Sequence, residues 1–174
     1  WNSYYFFSLY ANASNYQASP SFASTDLLDR YILSKTREMI VAVQNDLDEF
    51  DSYLASARVR EFAEVLTNWY IRRSRDRFWS GDKDAFDTLY TVLEAVFRTV
   101  APLLPIISEE MWRGLTGGRS VHLESWPEAE EFPLDADLVR DMDAIREAAS
   151  AALALRKANG LRVRLPLSEL TIAV

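Results

Sequence analysis

Cysteine is absent from the 174 residues, which excludes disulfides, thiolate zinc sites and cysteine nucleophiles and suits a reducing, cytoplasmic setting. Histidine occurs once, as His122, too few for a histidine-rich metal site. With 5 glycines and 6 prolines the chain is short of turn formers, so long helices are favoured over a turn-rich β architecture. No uninterrupted apolar run is long enough to span a membrane, and polar Asn2, Ser3 and Ser8 break the aromatic start in a way a signal peptide does not. Positive charge is also in deficit: 19 Lys and Arg against 26 Asp and Glu leave a net charge of −7, the wrong sign for a protein that coats itself in phosphate. An extended basic surface is therefore excluded, whereas a small local one is not.

What the chain does have is apolar content, 49%, enough for one globular unit with a sizeable core and a small appendage. Its cations are unevenly spread. Between Arg58 and Arg77 stand six arginines against Glu61, Glu64 and Asp76. The densest part reads Asn68-Trp69-Tyr70-Ile71-Arg72-Arg73-Ser74-Arg75-Asp76-Arg77-Phe78-Trp79. Upstream of it Phe62, Val65, Leu66 and Trp69 recur at helical spacing, and the same period then runs into Arg72, Arg73 and Asp76. Two readings of these charges stay open. Arginine forks hold phosphate in bidentate fashion, and rings such as Phe78, Trp79 or Trp69 give unpaired bases a surface to stack on. Alternatively Asp76 pairs with Arg72 or Arg73, and the other arginines pin neighbouring helices through carboxylates.

In chain order, Trp1 to about Asn12 predicts a helix too aromatic all round to face only water, followed by a loop to Ser24. Ser24 or Thr25 is the expected N-cap of a long helix carrying Leu28, Ile32, Met39, Ile40, Val43, Leu47 and Phe50 on one face, with Arg30, Lys35 and Arg37 solvated. The arginine-rich helix follows and closes at Ser80-Gly81-Asp82; Lys83 to Val100 is strongly amphipathic. Pro102 and Pro105 should make Leu103 to Ile107 a buried kink before a short helix through Trp112. Residues 121 to 133 read as an extended strap. A last helix starts at Asp135 or Asp137 and stops at Asn159-Gly160. Alternation at Leu161, Val163 and Leu165, and again at Leu170, Ile172 and Val174, predicts two short strands. The expected fold is a mainly α helical bundle with a short β segment at the C-terminus, residues 1–133 forming the bundle and 134–174 the helix and strands of a junction region.

Catalytic machinery is not legible. Glu109-Glu110 and Glu130-Glu131 sit at adjacent positions that point in different directions on a helix, so they make poor acid/base partners, and no glycine-rich phosphate loop occurs. His122 in an extended apolar context reads as structural.

The string from Asn68 to Trp79 resembles the NWY-x-RRSR-x-RFW signature in the helical anticodon-binding region of isoleucyl-tRNA synthetases, a class I aminoacyl-tRNA synthetase family. Trp1 to Phe7 is similar to the aromatic helix after that family's catalytic domain, and Leu28-Asp29-Arg30-Tyr31-Ile32-Leu33-Ser34 to its LDRWILS opening. Ala101 to Pro105, Ser108 to Trp112, Ser120 to Leu123 and Trp126-Pro127 fall in the family's order. Leu161 to Leu167 resembles its RVRQPL segment, with Leu165 where Gln is more usual. The resemblance implies recognition of the anticodon stem and loop of isoleucine tRNA inside an isoleucine-tRNA ligase. Its HIGH and KMSKS motifs are missing here, so this piece should be inert alone, with no cofactor of its own; the parent enzyme's ATP and magnesium belong elsewhere. The expected partners are isoleucine tRNA and the catalytic and C-terminal domains of the same chain, with no membrane. Trp69, Arg72, Arg73, Arg75, Arg77 and Trp79, and secondly Arg162 and Arg164, are the candidate RNA contacts. Another branch of the family carries an acidic and apolar string in place of Arg72 and Arg73, which weights the choice toward Arg75 and Arg77. Two rivals remain: a valyl- or leucyl-type bundle, disfavoured because valyl enzymes resemble WY-x-E where Arg72 stands, and a helical module that binds only protein.

Overall fold

Capping chemistry marks where the helices begin. Asp26 accepts from the backbone N–H groups of Leu28 and Asp29 at 2.8 and 3.4 Å and opens α2 (Leu27–Asp48). The expected cap Ser24 is used differently, donating its hydroxyl to Asp29 Oδ2 at 2.6 Å. Asp51 caps α3 (Ser52–Glu64), and Asp82 caps α5 (Lys83–Val100). A computed structural model describes residues 1–166, 168, 169 and 171. Its other helices are α1 (Asn2–Ala13), α4 (Arg75–Ser80), α6 (Pro105–Thr116) and α7 (Ala136–Ala158), with a π-helical segment at Val65–Ile71 and short 3₁₀ turns at Val121–Leu123 and Ala129–Glu131.

The chain divides into two units, Trp1–Asp135 and Ala136–Val174. In the first, α5 is central, packing on α1, α2 and α6 through an apolar face that includes Phe86, Leu89, Val92, Leu93 and Phe97, all at most 3% exposed. Buried threonines Thr36 and Thr99 satisfy their hydroxyls on the carbonyls of Ile32 and Ala95 one turn back. The loop before α2 runs along α5, where Tyr16 Oη and Ser19 N both donate to Asp87 at 2.9 Å. The strap is held at both ends. Glu109 accepts from Ser120 Oγ and Val121 N, and Arg37 donates to the Phe132 carbonyl at 2.8 Å while Arg30 pairs with Asp135. Arg30 and Arg37, expected to be solvated, thus fasten the strap to α2. His122 Nε2 lies 3.1 Å from the Pro105 carbonyl, on the surface.

Two further expectations are corrected. The apolar run around Pro105 is exposed, with Ile106 86% accessible. Pro105 starts α6, and the helix buries Ser108, Met111 and Trp112, a register that turns Ile106 and Ile107 outward. The second unit contains α7, ended by Gly160 at φ 65°, and no strand among the described residues. Residues 161–166 turn instead: Leu165 N bonds to Arg162 O at 3.0 Å, and the Arg156 guanidinium gathers the carbonyls of Arg162 and Leu165. Alternating side chains make a strand only beside a partner strand, and among the described residues there is none. Leu170, Ile172 and Val174, the expected second strand, lie outside the described residues.

Candidate nucleic-acid interface

The arginine-rich stretch sits where one long helical path changes pitch twice. From α3 the chain passes without a break into the π-helical segment, continues through Arg72 and Arg73, bends at Ser74 and resumes as α4 until Gly81 at φ 78°. A π turn holds one more residue than an α turn, so every side chain after it is rotated by about one position relative to the α period. The buried face accordingly runs Phe62, Val65, Leu66, then Tyr70, Ile71, Ser74 and Phe78. Uninterrupted α spacing would have carried Arg72 and Arg73 along the core stripe. The extra residue turns them outward.

Arg72, Arg73 and Arg75 are exposed, and among the described residues no ion pair forms on any of them. The expected pairing of Asp76 with Arg72 or Arg73 is not made. Arg73 instead lays its guanidinium over the half-buried Trp69 indole, with Cζ 3.7 Å from the ring centroid. Trp79 is 80% exposed and meets Tyr10 edge-on, their centroids 6.4 Å apart. Arg75 and Trp79 stand at i and i+4 on α4 and Arg72 lies just before the bend, so two exposed cations and a bare indole fall within eight residues.

Arg77 is placed differently from its neighbours. Its Nη1 and Nη2 donate to Asp29 at 2.8 and 2.7 Å, its Nε donates to Asp82 at 2.7 Å, and Asp26 lies 3.1 Å from Nη1. Burial works against this charge, but the hydrogen bonds to Asp29 and Asp82 and the pull of Asp29 and Asp26 outweigh it and hold the guanidinium pKa well above its ordinary value. Partial burial likewise opposes the Asp82 charge, and the Arg77 bond and the capped N–H groups of Ala85 and Asp84 still bring its pKa down. Arg77 thus turns most of its donors to carboxylates, unlike Arg72, Arg73 and Arg75. Arg58 is paired too, with Asp46 and Glu61, which shrinks the local excess of free cations.

Arg162 and Arg164 are exposed on the second unit, after α7. Pinning of neighbouring helices through carboxylates, one of the two open readings, describes Arg77, but the sequence did not identify its partners. Their signal was present, since Asp82 directly follows the helix-ending Gly81 and Asp29 sits in the first turn of α2, but nothing in the local pattern ties either to Arg77. Among the described residues no group of three or more His, Asp and Glu could hold a metal ion, and no helix is long and apolar enough to cross a membrane.

A family model described as the anticodon-binding domain of tRNA ligase matches residues 29–172. The chain is 60% identical over 178 residues to the isoleucine–tRNA ligase of Leifsonia xyli subsp. xyli, covering 99% of the chain and 16% of that protein. It is 55% identical over 177 residues to that of Corynebacterium efficiens and 50% identical over 175 residues to that of Mycobacterium tuberculosis; each match covers 100% of the chain and 16% of the relative. The chain thus spans about a sixth of the length of these relatives. Family-model coverage this broad makes the chain a member of the anticodon-binding domain family of tRNA ligases.

Proposed function

We propose that this chain recognises the anticodon stem and loop of isoleucine tRNA as part of an isoleucine–tRNA ligase. The observation that carries the reading is the patch of exposed Arg72, Arg73, Arg75 and Trp79, its cations without ion pairs among the described residues and the half-buried Trp69 lying under Arg73, on a chain that is otherwise acidic. Loop bases splay out of the stack, where they can lie on an indole or a guanidinium plane and be read along their edges. Trp79 offers the ring, and a base stacked on such a platform gains about 1–3 kcal/mol. Arg72 and Arg75 supply phosphate contacts beside it. Arg162 and Arg164 form a second contact, contributed by the other unit.

The domain acts through binding energy alone. Docking the anticodon orients the tRNA so that its acceptor end meets a catalytic part elsewhere in the polypeptide, where the ATP and magnesium of the ligation would also be handled. Its partners in this reading are isoleucine tRNA and the remaining domains of the same chain, in the cytoplasm.

Filter binding tests this with the intact polypeptide and two transcripts, isoleucine tRNA and the same tRNA with an exchanged anticodon, at low and moderate salt. Anticodon-dependent retention that weakens as salt rises is the expected result. Equal retention of both transcripts would overturn the reading.

A further inference from the structure

Asp29 is completely buried, at 0% exposure, and four donor groups converge on its two oxygens. Oδ1 accepts from Tyr70 Oη and Arg77 Nη1, both at 2.8 Å; Oδ2 accepts from Ser24 Oγ at 2.6 Å and Arg77 Nη2 at 2.7 Å. Tyr70 belongs to the π-helical segment and Arg77 to α4. The exposed arginines Arg72, Arg73 and Arg75 lie between these two residues in the chain. One carboxylate on α2 therefore holds the arginine run from both sides.

We infer that Arg77 is a positioning residue, whose two-pronged grip on Asp29 fixes the rotation of α4 about its axis and so aims Arg75 and Trp79 at the RNA; this rests on the function proposed above. The helix has six residues and one buried side chain, Phe78, whose ring meets Phe6, Tyr70 and Phe86 edge-on with centroids 5.1, 6.5 and 5.3 Å away. Edge-to-face ring contacts fill space but tolerate sliding, so Phe78 alone would act as a pivot. The guanidinium beside it is planar and directional, and both of its parallel bonds to Asp29 must be kept or lost together. Two anchors at adjacent positions leave a short helix no freedom to roll. Arg75 and Trp79, both exposed on the same short helix, inherit that fixed direction. Lysine cannot substitute, because a single ammonium point charge does not fork.

The test uses the intact polypeptide, an isoleucine tRNA transcript, and binding titrations in which the active fraction is measured stoichiometrically, with helicity followed by circular dichroism. The double variant Arg72→Ala/Arg75→Ala removes direct contacts. It should weaken binding at least tenfold and flatten the dependence of log affinity on log salt. Arg77→Lys keeps the charge and should still weaken binding about fivefold or more at an unchanged active fraction. Asp29→Asn separates aiming from touching: a buried residue cannot meet RNA, so a loss matching that of Arg77→Lys supports positioning, whereas unchanged or tighter binding, from an arginine released toward phosphate, overturns it. Wild-type affinity in Arg77→Lys overturns it equally. If either variant loses helicity, Asp29→Glu, which keeps the charge but displaces the carboxylate from the Arg77 fork, decides by the same criterion. No effect of the Arg72/Arg75 pair would instead show that the functional reading itself has failed.

Discussion

Arg73 and Trp69 face each other one turn apart, the guanidinium carbon 3.7 Å from the centre of the indole. The pair is a contact within the helix, and under the proposed function the exposed Arg73 would also offer its second face to a base. Cation–π pairs at exposed sites contribute about 0.5–1 kcal/mol. A double-mutant cycle of Trp69→Ala and Arg73→Ala, read as unfolding free energy in urea, should return a coupling of that size. Coupling indistinguishable from zero would mean that the stack is not populated in solution.

The clamp around Asp29 predicts an asymmetry between breaking a buried pair and removing it. Arg77→Met leaves a fully buried carboxylate with only Ser24 and Tyr70 as donors, and should cost about 3–5 kcal/mol of stability. The double variant Asp29→Asn/Arg77→Met, in which no fully buried charge is stranded and only the partly exposed Asp26 and Asp82 lose their partner, should recover a substantial part of that loss. Urea midpoints at constant slope measure both. Equal destabilisation of the two would show that the Arg77 side chain acts through its packing rather than its charge.

These relationships also show which parts of the molecule could be read in advance. Caps and periods were local, so the amphipathic α5, the stop at Gly81 and the end of α7 at Gly160 follow from a few neighbouring residues each. The π turn could not be seen, because Phe62, Val65, Leu66 and Trp69 fit an α stripe, and only packing of Tyr70 and Ile71 against the core selects the extra residue. That single insertion decides that Arg72 and Arg73 face outward. For Arg77 both readings stayed open for a related reason: its partners lie 48 and 5 residues away, and residue type alone does not separate an arginine that meets phosphate from one that meets a carboxylate. The alternation at Leu161, Val163 and Leu165 gave a turn because a strand is a property of a pair of segments.

Tyr70 should make stability fall at alkaline pH. Burial chiefly, then the charge of Asp29 and the hydrogen bond to it, raise the Tyr70 pKa well above its ordinary value, against a smaller lowering by Arg77. Above pH about 10 the unfolded chain loses this proton while the folded chain keeps it. The unfolded state then binds fewer protons, so unfolding free energy declines as pH rises from about 10 toward the folded pKa, and the contribution is fully present below pH 10. Tyr70→Phe should be less stable at neutral pH, having lost one bond to Asp29, yet show a shallower alkaline decline. Some slope will remain, since Tyr16 and Tyr90 are also shifted upward, chiefly by burial. Urea midpoints from pH 8 upward would detect the difference, and parallel curves for the two proteins would contradict it.

Phe50 closes α2 in a conformation that suits glycine. Its φ is 61°, and the bonds from Phe50 N to Leu47 O at 3.0 Å and from Asp51 N to Asp46 O at 2.8 Å are those of a left-handed C-terminal cap. The same pattern ends α4 at Gly81, where the residue has no Cβ to strain. At 93% exposure the Phe50 ring packs against little that could offset the cost. A side chain in the left-handed region costs about 1–2 kcal/mol, while glycine's extra freedom in the unfolded chain returns about 0.5–1 of that. Replacing an aromatic ring with nothing should therefore stabilise the domain: Phe50→Gly is expected to raise the unfolding free energy by about 0.5–1 kcal/mol, with Phe50→Asn in between. A lower urea midpoint for Phe50→Gly would mean that the ring finds contacts in solution that outweigh the backbone strain.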